Sequence, residues 1–341
     1  MFYEKPIFFE PNRVFRVYTG GKLIGQFTGV PSEDGFYPEE WVASATRALN
    51  KNSAGEHEGI SKIQGEELYL DEALQRYGRH ILGDRDSFGV LVKYLDSAIR
   101  LPMQAHPTKA FSRKHFGSPY GKEECWYILA TRENACIYFG FREGVTREDF
   151  KAAIRASEVS KTVMEGIAVR YEVKAGDVVF IPANTVHAIG YGCLILEVQE
   201  PTDFTIQPER YCGEYRLDDS EMYLGLDEDT ALENFDFGKT VYPFVTPRLL
   251  REQDGVRYEA LIDRQQTESF SLPRVSAQAG ASVVLDSCAV YVVAQGEGTL
   301  GGKDYCRPVR RGEYFLLPDA ARGKFTLRIE GEQATELLIC R

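Results

Sequence analysis

The residues best suited to chemistry lie in two stretches, Leu101 to Leu129 (LPMQAHPTKAFSRKHFGSPYGKEECWYIL) and Ile181 to Gly190 (IPANTVHAIG). The first sets Gln104 and His106 two residues apart, a spacing at which a β-strand points both side chains to one face. It then places Glu124 directly before CWYIL, an apolar and aromatic run that reads as a strand. A carboxylate there is costly to bury unless it meets a cation. The second stretch ends a strand at a turn carrying His187. Two imidazoles, a carboxylate and an amide oxygen on separate strands make a nitrogen and oxygen shell for a divalent metal, with room for a ligand. An amide is a weak ligand, so Gln104 either joins that shell or orients the bound water or substrate. His57, His80 and His115 have no second ligand type at a useful spacing and read as structural.

Other candidates surround this set. Lys122 lies two residues before Glu124, on the approach to the metal. Glu197 and Gln199 in LILEVQE share a strand face, which either supports a ligand histidine or is solvated. Glu40, Trp41 and Ser44 are candidates to line a pocket from an N-terminal strand, although Trp41 alone also suits a core. The elements that must position these residues are mostly strands. Residues 1 to about 50 read as short strands with glycine turns. Residues 66–98 read as helical in two pieces, with Phe88, Leu91, Val92 and Leu95 open to a strand reading that leads towards Leu101. Thr146 is a good N-cap, with Asp149 at the capping-box position, so a helix begins there. From Val169 to Gln207, short apolar runs alternate with glycine and proline, as in a jelly roll.

Residues 216–242 are acidic and locally helical and read as a connector; 243–341 form a second β-rich unit. The expected organisation is thus a catalytic, metal-binding unit over 1–215, the connector, and a C-terminal unit over 243–341. All five histidines precede that last unit, so a histidine-based metal site is impossible there.

Composition narrows the function. The 341 residues, 43% of them hydrophobic, can bury a substantial core, and 31 Gly, 20 Phe and 19 Tyr suit a turn-rich β architecture. A net charge of -11 without a basic stripe argues against a nucleic-acid partner. A phosphorylated substrate would need a local cationic pocket working against that charge. Seven cysteines with no paired short spacing argue for reduced thiols and a cytoplasmic protein. The opening MFYEKPIFFEPNR is no signal peptide, and no run approaches the ~20 apolar residues of a membrane span. The sequence carries no signal for an oligomeric state.

The order of these pieces resembles the type I mannose-6-phosphate isomerases, zinc-dependent members of the cupin superfamily. Gln104-x-His106-Pro107 is similar to the family's Q-x-H-P, and Gly121 to Leu129 to its G-K-x-E-x-W-Y-I-L. Ile181 to Gly190 resembles its P-x-G-x-x-H-A-x-G segment, with Asn184 where a glycine is common. Glu40 to Ser44 echoes E-x-W-x-x-S; the resemblance runs from about residue 6 to residue 206. It implies a mostly β fold of two cupin domains with helical insertions. It also implies one zinc or other divalent metal per chain, held by Gln104, His106, Glu124 and His187. The implied activity is aldose–ketose isomerisation of a sugar or sugar phosphate through a cis-enediolate, with Lys122 or Glu197 moving the proton. Trp41, Ser44 and Gln207 are the candidates for the substrate. The chain departs from the family's E-x-x-Q-x-S-D-x-T-Y-R, because Gln207 takes the arginine's position. Arg210, three residues on in PERY, is the catalytic candidate to restore that charge, with Arg216 next. The rival readings are another metal-dependent cupin enzyme, such as an oxygenase or epimerase, and a silent sugar-binding protein.

Overall fold

The computed structural model describes residues 1–51, 55–238 and 242–341. Its first 200 residues supply nine strands: β1 (Arg13–Val14), β2 (Glu39–Val42), β3 (Leu91–Asp96), β4 (Glu124–Thr131), β5 (Cys136–Phe141), β6 (Ala168–Glu172), β7 (Val178–Ile181), β8 (His187–Ile189) and β9 (Cys193–Gln199). Six form one sheet in the order β1-β2-β3-β9-β4-β7, and β6-β5-β8 form another. Trp126, Ile128, Val179 and Ile195 of the larger sheet pack in one core with Ile137, Phe139, Ala188 and Ile189 of the smaller. Leu194, Leu196 and Val198 alternate with Ile195 and face a second core on the larger sheet's other side. Burial on both faces explains why this strand reads as an almost unbroken apolar run.

After a short hairpin of β10 (Tyr211–Cys212) and β11 (Tyr215–Arg216), ten strands follow. They are β12 (Arg248–Gln253), β13 (Val256–Ile262), β14 (Leu272–Ala277), β15 (Ser282–Leu285), β16 (Ala289–Gln295), β17 (Glu297–Gly302), β18 (Tyr305–Arg310), β19 (Tyr314–Leu317), β20 (Phe325–Arg328) and β21 (Thr335–Cys340). Their sheets run β12-β13-β14-β21-β16-β19 and β15-β20-β17-β18. The two six-stranded sheets share one core: Val92, Tyr94 and Leu196 belong to the same cluster as Val292, Leu316 and Leu338. The molecule is therefore mostly β.

Helices are few. Among the described residues the α-helices are α1 (Lys22–Thr28), α2 (Leu70–Leu82), α3 (Lys109–Phe116), α4 (Arg147–Ala156), α5 (Asp219–Tyr223) and α6 (Glu228–Ala231). Within 66–98, α2 is the helix, and Leu91, Val92 and Leu95 lie in β3. Thr146 caps α4, accepting from the Asp149 N–H, while the Asp149 carboxylate accepts from the Thr146 N–H. The N-terminal region departs from an all-strand reading, because GKLIGQFT contains α1. Glycine disfavours helix, but Leu23, Ile24 and Phe27 bury its apolar side, and the Gly21 and Leu23 N–H groups donate to the Asp96 carboxylate at 2.7 and 2.8 Å. Tertiary contacts override the propensity here.

Candidate metal centre and cleft

Four segments converge at one end of the larger sheet. The backbones of Gln104 and His187 exchange two hydrogen bonds, each 2.9 Å, so the loop before α3 is fixed to β8. Gly121 brings in β4: a Cβ there would lie 2.6 Å from the Pro107 carbonyl oxygen, so only glycine lets this segment lie against the His106 loop. The Lys122 N–H donates to that same oxygen at 3.0 Å. Asn184, at the common glycine position, has φ +65° in the left-handed region, which asparagine tolerates better than most residues. Its N–H donates to the His106 carbonyl at 2.9 Å.

These contacts bring His106, Glu124 and His187 together, fully buried, with one donor atom from each within 4.8 Å of the others. Each imidazole has its Nδ1 beside a carbonyl, His106 at 3.0 Å from Phe204 O and His187 at 2.9 Å from Thr185 O. A carbonyl only accepts, so Nδ1 carries the proton in both rings and each Nε2 presents a lone pair. Those lone pairs face the Glu124 carboxylate at 3.1 and 3.4 Å. Three acceptors held this close repel one another unless a cation joins them. In this structure the cation is Lys122, its Nζ 2.9 Å from His106 Nε2 and 2.8 Å from Glu124 Oε2. His187 Nε2 has no hydrogen-bond partner among the described residues. Burial pushes the His106 imidazole down to about 3, and Lys122 beside it acts in the same direction. Burial opposes the charge on Glu124, but Lys122 and His106 outweigh it and hold the carboxyl well below the usual range. Two imidazoles oriented by backbone carbonyls and an ionised carboxylate held by the Trp126 indole fit a divalent metal.

Lys122 and Gln104 also line a cleft of about 410 Å³ above the triad. Strand alternation sets its charged wall. Lys93 pairs with Glu197 across β3 and β9, Glu197 faces Trp126 across β9 and β4, and Trp41 faces Lys93 across β2 and β3. Lys93 Nζ lies 3.2 Å from Glu197 and 3.8 Å from both Glu39 and Asp203. Arg16 donates to Glu39, to Asn50 and to both oxygens of Asp203, all at 3.0 Å. The Trp126 indole N–H is shared by Glu124 at 3.1 Å and Glu197 at 3.2 Å. Burial raises the Glu197 carboxyl, and the charge on Glu124 adds to that; Lys93 works the other way. For Glu39, Arg16 and Lys93 outweigh burial and hold the carboxyl down to about 2.

The other sequence-derived candidates fall in different places. Gln207 lines the cleft, its amide donating to the Glu221 carbonyl at 3.2 Å. Trp41 does not; it is fully buried, and its indole N–H donates to Glu39 at 2.6 Å. Ser44 is also fully buried, in a local turn, with its hydroxyl on the Thr46 carbonyl at 3.2 Å. The cleft carboxylate of β2 is Glu39, two residues before Trp41. Glu40 points to the opposite face, where it accepts from Tyr314 at 2.7 Å. Arg210 does not line the cleft, because its guanidinium is held by Glu158 at 2.6 Å and Asp219 at 2.9 Å. Arg216 pairs with Glu158 as well, at 3.0 Å. Sequence reasoning passed over Arg16, Glu39, Lys93 and Asp203. Same-face spacing with Trp41 was the available signal for Glu39; for the others, distance along the chain hid the pairing.

No protein-family model matches the chain. The mannose-6-phosphate isomerase ManA of Bacillus subtilis (strain 168) is 28% identical over 325 residues, 92% of this chain and 93% of that protein. The crystal structure of the mannose 6-phosphate isomerase from Bacillus subtilis superimposes with a TM-score of 0.78 at 24% identity, covering 98% of this chain and 99% of that one. A mannose 6-phosphate isomerase crystallised with zinc and yttrium bound gives a TM-score of 0.68 at 15% identity, covering 98% and 99%. Along nearly its whole length this chain is similar in sequence to mannose-6-phosphate isomerases, and its mostly β fold is similar to theirs.

Proposed function

We propose that this protein is a metal-dependent aldose–ketose isomerase that interconverts mannose or its 6-phosphate with the corresponding fructose, or acts on a closely related sugar. The observation that carries this reading is the buried set of two Nε2 lone pairs and one carboxylate, opening through Lys122 and Gln104 onto a cleft of mixed charged and apolar lining. His106, Glu124 and His187 would hold the ion, with Gln104 beside them; nitrogen and oxygen donors suit zinc, and a structural relative binds it. Bound there, a divalent ion supplies Lewis acidity towards the sugar's oxygens.

This chain's residues would do the rest. Isomerisation removes a proton from C2 of the aldose, gives a cis-enediolate of the sugar, and returns a proton to C1. Lys122 is the cation among the three donors in this structure; with those donors satisfied by the ion, its ammonium is released to the cleft it lines. Glu197, raised by burial and by Glu124, is poised as the partner in proton transfer, held in place by Lys93 and Trp126. Lys93 balances the Glu39, Glu197 and Asp203 carboxylates so that this wall stays ordered when water leaves.

We further read the chain as two jelly-roll units, 1–215 and 243–341, joined by 216–242, on the strength of its two pairs of sheets. A reducing, cytoplasmic setting suits seven free cysteines in a chain without a helix, among the described residues, long and apolar enough to cross a membrane. Deuterium incorporation tests the isomerase reading. Zinc-loaded protein incubated in D2O with mannose, fructose and their 6-phosphates should place deuterium at C1 of the ketose and C2 of the aldose. Stoichiometric zinc without exchange into any of the four sugars would refute it.

A further inference from the structure

Among the described residues, four cations line the cleft: Arg16, Lys51, Lys93 and Lys122. Three of them are committed. Arg16 and Lys93 are buried with Glu39, Asp203 and Glu197, and Lys122 lies on His106 and Glu124. Lys51 is different. Its side chain is 52% exposed, and that of its partner Asp218 is 41% exposed. An exposed pair is held weakly, because water can replace either partner. A buried cation that turns away leaves an uncompensated carboxylate behind, which is far more costly.

The cleft wall sets where Lys51 stands relative to the triad. Glu124 and Glu197 share the Trp126 indole, Glu197 and Asp203 both face Lys93, and Asp203 accepts from the Leu49 N–H at 2.8 Å. Asn50 is pinned as well, between the Arg16 guanidinium and the Phe15 carbonyl, each at 3.0 Å. Lys51 follows these two fixed residues, at the solvent end of a cleft whose other end is the fully buried triad. A hexose held by C1 and C2 at the triad directs C6 towards that solvent end. Gln207 lines the cleft but is neutral, and neither Arg210 nor Arg216 lines it. Of the four cleft cations, Lys51 alone can turn towards a charge on C6 at little cost, on a flexible stem that carries its charge as a point.

Asp218 divides its two oxygens between tasks. Oδ1 caps α5, accepting from the Glu221 N–H at 3.0 Å and the Ser220 hydroxyl at 2.7 Å, while Oδ2 holds Lys51. Its neighbours Leu217 and Ser220 line the cleft, so this carboxylate stands at the rim of the space an anionic substrate would enter. The Glu221 carboxylate is tied to the Tyr215 hydroxyl at 2.8 Å and the Asp218 N–H at 2.9 Å, and it adds to the negative charge on that rim.

We infer that Lys51 is the specificity-determining residue for a 6-phosphorylated sugar, and that Asp218 occupies it until the phosphate displaces that carboxylate. The inference rests on the isomerase reading above and assigns the substrate's distal charge to one residue of that same site.

The test compares zinc-loaded wild type, Lys51→Met, Lys51→Arg and Asp218→Asn at about 0.15 M salt, where long-range steering is screened. Two ratios are read: kcat/KM for mannose 6-phosphate over that for mannose, and calorimetric affinity for glucitol 6-phosphate over that for glucitol. Lys51→Met should lower both by about ten-fold, the kinetic loss falling on KM, and Lys51→Arg should hold them within a few-fold of wild type. Asp218→Asn keeps the cap on α5, since asparagine caps as well as aspartate. It frees Lys51, so both ratios should rise by about three-fold. A salt bridge that only held the rim together would move Lys51→Met and Asp218→Asn in the same direction. That outcome, or ratios that Lys51→Met leaves unchanged, would overturn the inference, while turnover of the sugars would leave the isomerase reading standing. Bound zinc with no interconversion of mannose, fructose or their 6-phosphates would overturn both.

Discussion

His187 is one ring with its Nδ1 on the Thr185 carbonyl and its Nε2 without a hydrogen-bond partner among the described residues. Replacing it with alanine removes one of three donors, so His187→Ala should lose most bound zinc by elemental analysis while its circular dichroism stays that of the wild type. Full metal occupancy in that variant would contradict the assignment. Lys122 is separable from metal binding. Lys122→Met should keep its zinc and lower kcat/KM by about 100-fold or more, the range of a lost proton carrier; a variant within a few-fold of wild type would remove Lys122 from the chemistry. At this scale the sequence was legible where residues sit close together. Gln104, His106, Lys122 and Glu124 fall within about twenty positions, and His187 stands in a motif of its own. It was opaque for Arg16 and Asp203, 187 residues apart, since nothing local marks either as the other's partner.

At the scale of the element, a strand's alternation decides which side chain reaches the cleft. On β2 that rule separates Glu39 from Glu40: one faces Arg16 and Lys93, its neighbour faces Tyr314. Matching Glu40 with Trp41 in sequence therefore put the carboxylate on the wrong face. Glu39 also makes stability depend on pH. Its carboxyl lies at about 2 in the fold against an ordinary 4.5, so it binds protons less readily when folded. Its stabilisation is present above about 4.5 and is lost as pH falls through about 2, with an upper bound of roughly 3 kcal/mol. Glu39→Gln should cost up to about 3 kcal/mol at pH 7 in urea unfolding of metal-free protein, with the gap from wild type narrowing as pH falls from 4.5. A gap that stays constant over that range would show that the carboxylate's charge is not what stabilises the wall. The entry to β4 depends on Gly121 in a different way. Gly121→Ala forces the strand off the Pro107 carbonyl, so zinc affinity measured against a competing chelator should fall by ~10-fold or more. Unchanged affinity would mean that the loop simply moves with it.

At the scale of the whole molecule, the two large sheets stand face to face over one core, and this ties the half without histidines to the half that holds the triad. Leu338, fully buried on β21, belongs to that core. Leu338→Ala should cost about 2–5 kcal/mol and move the whole molecule's unfolding as a single transition. Two transitions, only one of them shifted, would show that the halves fold independently. The β class, the helical insertion and the acidic segment were readable from glycine and proline punctuation and from apolar runs. The packing of one large sheet on the other was not, because a strand buried on both faces does not record in its own sequence which partner covers it.

The central claim, that one divalent ion on His106, Glu124 and His187 drives aldose–ketose interconversion, is tested most directly by titrating zinc into chelator-stripped protein. The rate of interconversion is followed by NMR with mannose and with mannose 6-phosphate as separate substrates. The rate should start near zero, rise in proportion to added zinc, and level off at about one equivalent, with no such rise in His187→Ala. Interconversion that persists in the stripped protein, or that His187→Ala recovers in full with zinc, would contradict the account.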